Sequence, residues 1–130
     1  TEKDANRKLI IMKKILIVDD EPNIVMSLEY TFKKNNFEVF IARDGLEALD
    51  ILKTNFPDVI ILDVMMPMVD GYATLEQIRK DKNLEHTKVI FLSAKNKASD
   101  IEKGLTLGAD AYLTKPFSIK KVVETVLELL

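Results

Sequence analysis

Ile15-Leu16-Ile17-Val18-Asp19-Asp20-Glu21-Pro22 decides how this chain is read. Four aliphatic residues in succession, mostly β-branched, suit a strand buried on both faces. The run stops at two carboxylates, and Pro22 behind them suits the first position of a helix. Three further runs end in the same way. Val59-Ile60-Ile61-Leu62 leads into Asp63, Val89-Ile90-Phe91-Leu92 into Ser93, and Ala111-Tyr112-Leu113-Thr114 into Lys115-Pro116. As parallel strands, these runs would bring three carboxylates, a hydroxyl and an ammonium to the carboxyl edge of one sheet. Open α/β sheets bind ligands at that edge. Such a set of groups points to metal-assisted phosphoryl transfer.

Between the runs the apolar period changes to that of helices. After Pro22, the residues Ile24, Val25, Leu28 and Phe32 form one face, and Asn35-Asn36 stops the helix. Phe37 to Ile41 reads as a second strand, and its Glu38 makes it an edge strand. Asp44 suits an N-cap before a helix that turns Leu46, Leu49 and Leu52 inward. Pro57 opens the third strand, and Asp70-Gly71 begins a helix carrying Tyr72, Leu75 and Ile78. Thr87 to Leu92 is the fourth strand. A helix from Ala98 to Leu107 buries Ile101 and Leu105 and stops at Gly108. Ala109 to Thr114 is the fifth strand. Ser118 caps a last helix whose stripe runs through Ile119, Val122, Val123, Val126, Leu127 and Leu130, with Leu129 outside it. Five strands alternating with five helices make a doubly wound α/β fold with a parallel sheet.

The length of 130 residues suits one domain. An apolar content of 47% supports a core, and 31% charged residues support a solvated surface. The net charge of −2 comes without a basic block, which argues against nucleic-acid binding by this domain. The absence of cysteine excludes thiolate chemistry and a disulfide scaffold. No apolar run is long enough for a membrane span, and residues 1–8 are too polar for a signal peptide. The default expectation is a cytoplasmic protein. Residues 1–11 read as a tail or linker, and residues 12–130 as the domain. With His86 as the single histidine, a histidine metal cluster is impossible.

Each group at the strand ends has its chemistry. Asp19, Asp20 and Asp63 would repel one another, and a hard divalent cation such as Mg²⁺ relieves that repulsion. An Asp side chain can attack phosphorus and carry an acyl phosphate. Lys115, held extended by Pro116, can reach a phosphate as a point charge. Ser93 can donate to a phosphoryl oxygen.

These pieces together resemble the receiver domain of bacterial two-component response regulators. The matching segments are residues 15–22, Asp63-Val64-Met65-Met66-Pro67, Asp70-Gly71, Ser93-Ala94, Gly108-Ala109-Asp110-Ala111-Tyr112 and Lys115-Pro116-Phe117. The resemblance spans residues 13–130. It implies a flavodoxin-like sheet of order 2-1-3-4-5 flanked by five helices. It implies that Asp63 is the phosphoacceptor, with a histidine kinase or a phosphotransfer protein as donor. Asp20 would be a direct Mg²⁺ ligand and Asp19 a ligand through water, with the Met65 backbone carbonyl completing the protein's share beside Asp63. Lys115 would contact the phosphoryl group, and Ser93 with Tyr112 would form the switch. The face made by the fourth helix, fifth strand and fifth helix would signal to an output domain or target, and a homodimer is compatible. Ala111 departs from the acidic residue usual in the subfamily that dimerises through that face. With no output domain after Leu130, the expectation is a stand-alone receiver, the receiver of a hybrid kinase, or part of a longer regulator.

Met65 and Lys95 would flank the path of a water attacking the acyl phosphate, and neither can act as a base there. A hydrolase with an Asp nucleophile is the second reading, but no insertion is long enough to build a cap over a substrate. A docking module without phosphorylation is the third. The leading expectation is a signalling phosphoacceptor that catalyses only its own phosphoryl transfer and autodephosphorylation.

Overall fold

A computed structural model describes residues 12–130; the expected tail at 1–11 lies outside the described residues. The elements follow in the order β1 (Lys14–Val18), α1 (Pro22–Lys34), β2 (Glu38–Ala42), α2 (Gly45–Ile51), β3 (Val59–Leu62), α3 (Gly71–Lys80), a 3₁₀ turn (Lys82–Leu84), β4 (Lys88–Ser93), α4 (Ala98–Thr106), β5 (Ala111–Thr114) and α5 (Ile119–Leu129). All pairings are parallel, in the order β2-β1-β3-β4-β5. The expected doubly wound sheet is therefore present, with β2 at one edge.

The two-residue period of the strands divides the core. Leu16, Val18, Ile60, Leu62, Val89 and Phe91 face the side covered by α2, α3 and α4, where Ala48, Leu52, Tyr72, Leu75 and Ile78 meet them. Ile15, Ile17, Val59, Ile61, Ile90 and Leu92 face the other side, against Leu28 and Phe32 of α1 and Val122 and Val126 of α5. Every residue of the β1 run Ile15–Val18 is fully buried. Removing one such aliphatic side chain from water contributes about 1.5–3 kcal/mol.

The helix starts follow the sequence chemistry. The Asp44, Asp70 and Ser118 side chains accept from the N–H groups of Glu47, Ala73 and Lys121. Pro22 opens α1 in place of a side-chain cap. Asn36 (φ 66°) ends the turn after α1, and Gly108 (φ 112°) follows α4.

Three helix faces differ from expectation. Leu46 is exposed, and Ala48 takes its inward place, because the short α2 turns only its Ala48–Leu52 side to the sheet. Leu105 is exposed, and Gly104 faces the sheet instead. At the end of α5, Leu127 and Leu130 are exposed while Leu129 packs against the core cluster that holds Leu28 and Phe32 of α1. Strands β2, β4 and β5 begin one or two residues later than the apolar pattern suggests, where ladder pairing starts. No helix among the described residues is long and apolar enough to cross a membrane.

Candidate functional site

The strand register builds the site. Val18 lies level with Leu62, and Leu62 with Phe91. Asp19 and Asp63, each one residue further on, leave the sheet side by side. The ladder continues past them: Asp63 N–H donates to the Val18 carbonyl at 3.0 Å, and Asp19 N–H to the Ala42 carbonyl at 3.1 Å. Ser93 is level with Thr114, and Lys115 N–H donates to the Ser93 carbonyl at 2.8 Å. The Lys115–Pro116 peptide bond is cis. Gly71 lets α3 begin against the backbone of Asp63, because a Cβ there would lie 2.3 Å from the Asp63 carbonyl oxygen.

Asp19 and Asp63 are buried, at 2% and 3% exposure. Between them stands the Lys115 ammonium. Its Nζ donates to Asp19 Oδ2 at 3.0 Å, to Asp63 Oδ2 at 3.3 Å and to Glu21 Oε1 at 2.9 Å. The remaining carboxylate oxygens accept backbone N–H groups, Asp19 Oδ1 from Glu21 at 2.9 Å and Asp63 Oδ1 from Met65 at 3.1 Å. Asp20 is exposed and makes no hydrogen bond to another described residue. One oxygen from each of Asp19, Asp20 and Asp63 lies within 4.8 Å of the others.

One ammonium does not neutralise this cluster. Burial pushes the Asp19 carboxyl above its ordinary pKa, against the pull of the Glu21 N–H and of Lys115. Burial also pushes Asp63 up; Lys115 opposes the shift and the Asp19 charge adds to it. For Lys115, burial works against the charged form, but hydrogen bonds to Glu21 and Asp19 and the charge of Asp63 outweigh it and hold the ammonium above its usual range. The donor set is all hard oxygen and carries excess negative charge. It fits Mg²⁺ and does not fit a metal that prefers sulfur or imidazole.

Ser93 is fully buried, and its Oγ accepts the Lys95 N–H at 3.2 Å, leaving its own proton for another acceptor. The Tyr112 hydroxyl donates to the Lys95 carbonyl at 2.7 Å, and its ring lies 5.7 Å from that of Phe91. The Tyr112 side chain is thus turned inward, against Phe91 and the loop after β4. Met65 and Lys95 line one surface cleft of about 310 Å³ together with Val64, Met66, Asp70 and Tyr72. A second cleft, about 510 Å³, runs past Glu21, Ile24, Ala94, Lys115, Pro116 and Phe117. His86 is exposed in a turn away from the strand ends, as its polar surroundings suggest.

Of the residues singled out from sequence, Asp19, Asp20, Asp63 and Lys115 meet at the strand ends, Ser93 and Tyr112 meet at the Lys95 backbone, and Met65 and Lys95 line the adjoining cleft. Two further contacts were not legible there. Glu21 was read only as part of a motif, yet it is a partner of Lys115; an acid directly after a strand-terminal Asp pair is the signal available. Tyr72 was read as a core residue, yet its hydroxyl donates to the Asp100 carbonyl at 3.2 Å.

Comparison with known proteins agrees with this geometry. A family model described as the response regulator receiver domain matches residues 15–127. The chain is similar to the alkaline phosphatase synthesis transcriptional regulatory protein PhoP of Bacillus subtilis, with 46% identity over 110 residues. The match covers 85% of this chain and 45% of that regulator, so the chain spans less than half of its length. Among solved structures it is similar to the receiver domain of the Francisella response regulator 1452, with TM-score 0.83 and 41% identity over 90% of this chain and 95% of that one. It is also similar to the chemotaxis protein CheY4 of Vibrio cholerae, with TM-score 0.87 and 31% identity over 92% of this chain and 100% of that one.

Proposed function

Because the chain belongs to the response regulator receiver domain family, a signalling family, we propose that it is a phosphorylation switch in which Asp63 accepts a phosphoryl group from the phosphohistidine of a histidine kinase or phosphotransfer protein. The observation that carries this reading is the Lys115 ammonium standing between the buried carboxylates of Asp19 and Asp63. An Asp63 oxygen attacks phosphorus, the phosphorus–nitrogen bond breaks, and imidazole leaves. The donor side chain would approach along the cleft past Ile24, Lys115 and Phe117. Asp20 and Asp63 would hold Mg²⁺ directly with the Met65 carbonyl, and Asp19 through water. Bound there, Mg²⁺ would neutralise charge on the phosphoryl oxygens. Lys115 then trades a carboxylate partner for a phosphoryl oxygen, and Ser93 donates its free proton to another.

The chain acts as a signalling phosphoacceptor rather than a turnover enzyme, catalysing only its own phosphoryl transfer and dephosphorylation. The phosphoryl group favours a state that is already accessible, which the inward Tyr112 supports. Its target would be an output domain or partner at the face of α4, β5 and α5. A small phosphodonor with Mg²⁺ tests the reading. A stable adduct of about 80 Da (one phosphoryl group replacing a proton) on Asp63 supports a switch. Turnover of substrate would indicate a hydrolase, and silence a docking module.

Ser93→Ala should leave phosphorylation largely intact and reduce the response of α4 and β5. Backbone NMR shifts on adding Mg²⁺ and beryllofluoride measure it; changes confined to α1 would contradict the assignment. The lifetime of the phosphoryl group should depend on Met65. Its side chain is more than half exposed in the cleft shared with Lys95, where a long thioether shields phosphorus and cannot orient a water. Met65→Asn should speed autodephosphorylation about tenfold, equivalent to about 1.4 kcal/mol of barrier. Mass spectrometry of phosphoryl loss decides this, and a variant as slow as the parent would remove Met65 from control.

A further inference from the structure

Two tyrosine hydroxyls reach the chain between the end of β4 and the first turn of α4, and the proposed switch uses one. Tyr112, on β5, bonds the Lys95 carbonyl in the loop. Tyr72, on α3, bonds the Asp100 carbonyl in the first turn of α4. The rings are linked through Phe91, which lies 5.6 Å from Tyr72 edge to face and 5.7 Å from Tyr112. Gly104 brings α4 down onto this ladder; a Cβ there would come within 2.9 Å of the Phe91 ring and 3.0 Å of the Tyr112 ring. The Lys103 ammonium lies 4.3 Å from the centre of the Tyr72 ring, a second contact between Tyr72 and α4.

We propose that Tyr72 is a positioning residue of the switch, its hydroxyl holding the first turn of α4 in the arrangement that accompanies inward Tyr112. This rests on the Ser93–Tyr112 switch reading and extends it to a third side chain on a different element. Filling the core does not require the hydroxyl, since the ring of a phenylalanine would make the same edge-to-face contact. The oxygen is therefore the informative atom. It is shielded from water: burial first, and then the neighbouring Tyr112 hydroxyl, push Tyr72 up to about 12. Ser93 Oγ accepts the Lys95 N–H, and the Tyr112 hydroxyl donates to the carbonyl of the same residue. Ser93 and Tyr112 thus hold the backbone of Lys95, and Tyr72 holds that of Asp100 in the first turn of α4. If Tyr112 leaves, the site beside the Tyr72 hydroxyl opens to water, and its bond to Asp100 weakens relative to hydration.

Tyr72→Phe removes one oxygen and keeps the ring. Amide hydrogen exchange, followed by NMR with and without Mg²⁺ and beryllofluoride, tests the role. The variant should take up a phosphoryl group at the parent rate. With beryllofluoride, its amides 98–104 should exchange about threefold to tenfold faster than those of the parent, the scale of one hydrogen bond. Without beryllofluoride the factor should be smaller. Combined with Tyr112→Phe, the effects should be less than multiplicative. Equal acceleration in both states would mean a plain structural staple and would overturn the proposal, as would no acceleration. A parent protein whose α4 amides ignore beryllofluoride would instead overturn the underlying switch reading, whatever Tyr72 does.

Discussion

Asp63→Asn should abolish both phosphoryl uptake and Mg²⁺-dependent beryllofluoride binding while leaving the fold intact. The substitution is isosteric, and it removes the anionic oxygen that attacks phosphorus. It also removes one of the carboxylates proposed to hold the cation, and without the cation an anion meets an acidic cluster that the single Lys115 ammonium does not neutralise. The fold should not suffer. Lys115 keeps Asp19 and Glu21 as partners at 3.0 and 2.9 Å, so no ammonium is stranded. Burial holds the Asp63 carboxyl above its unfolded pKa, so in the absence of metal its charged form opposes folding. The folded state then binds the proton more readily than the unfolded state. The parent's stability deficit relative to the variant should be fully present above the raised folded-state pKa and shrink as pH falls through it toward the unfolded value. Mass spectrometry after incubation with a small phosphodonor reads the first effect, and thermal unfolding against pH reads the second. A phosphorylated Asn variant would mean that the acceptor lies elsewhere.

Asp20→Asn should weaken Mg²⁺ binding by at least about tenfold, or 1.4 kcal/mol, whereas Asp19→Asn should cost about threefold. The reason is what each carboxylate is already doing. Asp19 is buried, and its two oxygens are engaged by Lys115 and by the Glu21 N–H, which leaves it able to steady a water more than to bind directly. Asp20 is exposed and without a hydrogen bond among the described residues, so its oxygens are available to a cation. Titration of Mg²⁺ against the parent and both variants measures the difference. Equal affinities in all three would sink the ligand assignment.

Much of this architecture could be read directly from residue order. Period-2 and period-3.6 patterns identify strands and helices because burial is one-sided on a helix and two-sided on a central strand. The continuous runs at 15–18, 59–62 and 89–92 became the three interior strands β1, β3 and β4, and charged Glu38 lies in the edge strand β2. The helix faces were less legible. Leu46 and Leu105 have the spacing of core residues, yet Ala48 and Gly104 are the ones turned inward. A leucine can sit exposed at modest cost, whereas where two elements come closest only a small residue fits. Hydropathy rewards the large side chain and cannot see the gap it would have to enter. Leu129 and Leu127 exchanged places as well: Leu129 is the one that packs against the cluster shared by α1 and α5.

The sequence by itself determined which groups could do chemistry and that they would share an edge. Strand-terminal Asp19, Asp20, Asp63, Ser93 and Lys115 converge because parallel strands point their carboxyl ends the same way, whatever the details of packing. Tertiary structure alone decided how those groups are paired. Lys115 meets Asp19 across 96 positions and Asp63 across 52, and the Tyr72 hydroxyl finds Asp100 across 28. Partners so far apart are chosen by strand register and by the closeness of helices to the sheet. Hydrogen bonds and ion pairs depend on separations of a few tenths of an ångström. Hydrophobic pattern is tolerant of such shifts, so it carries the fold in local order and leaves the pairings to the packed whole.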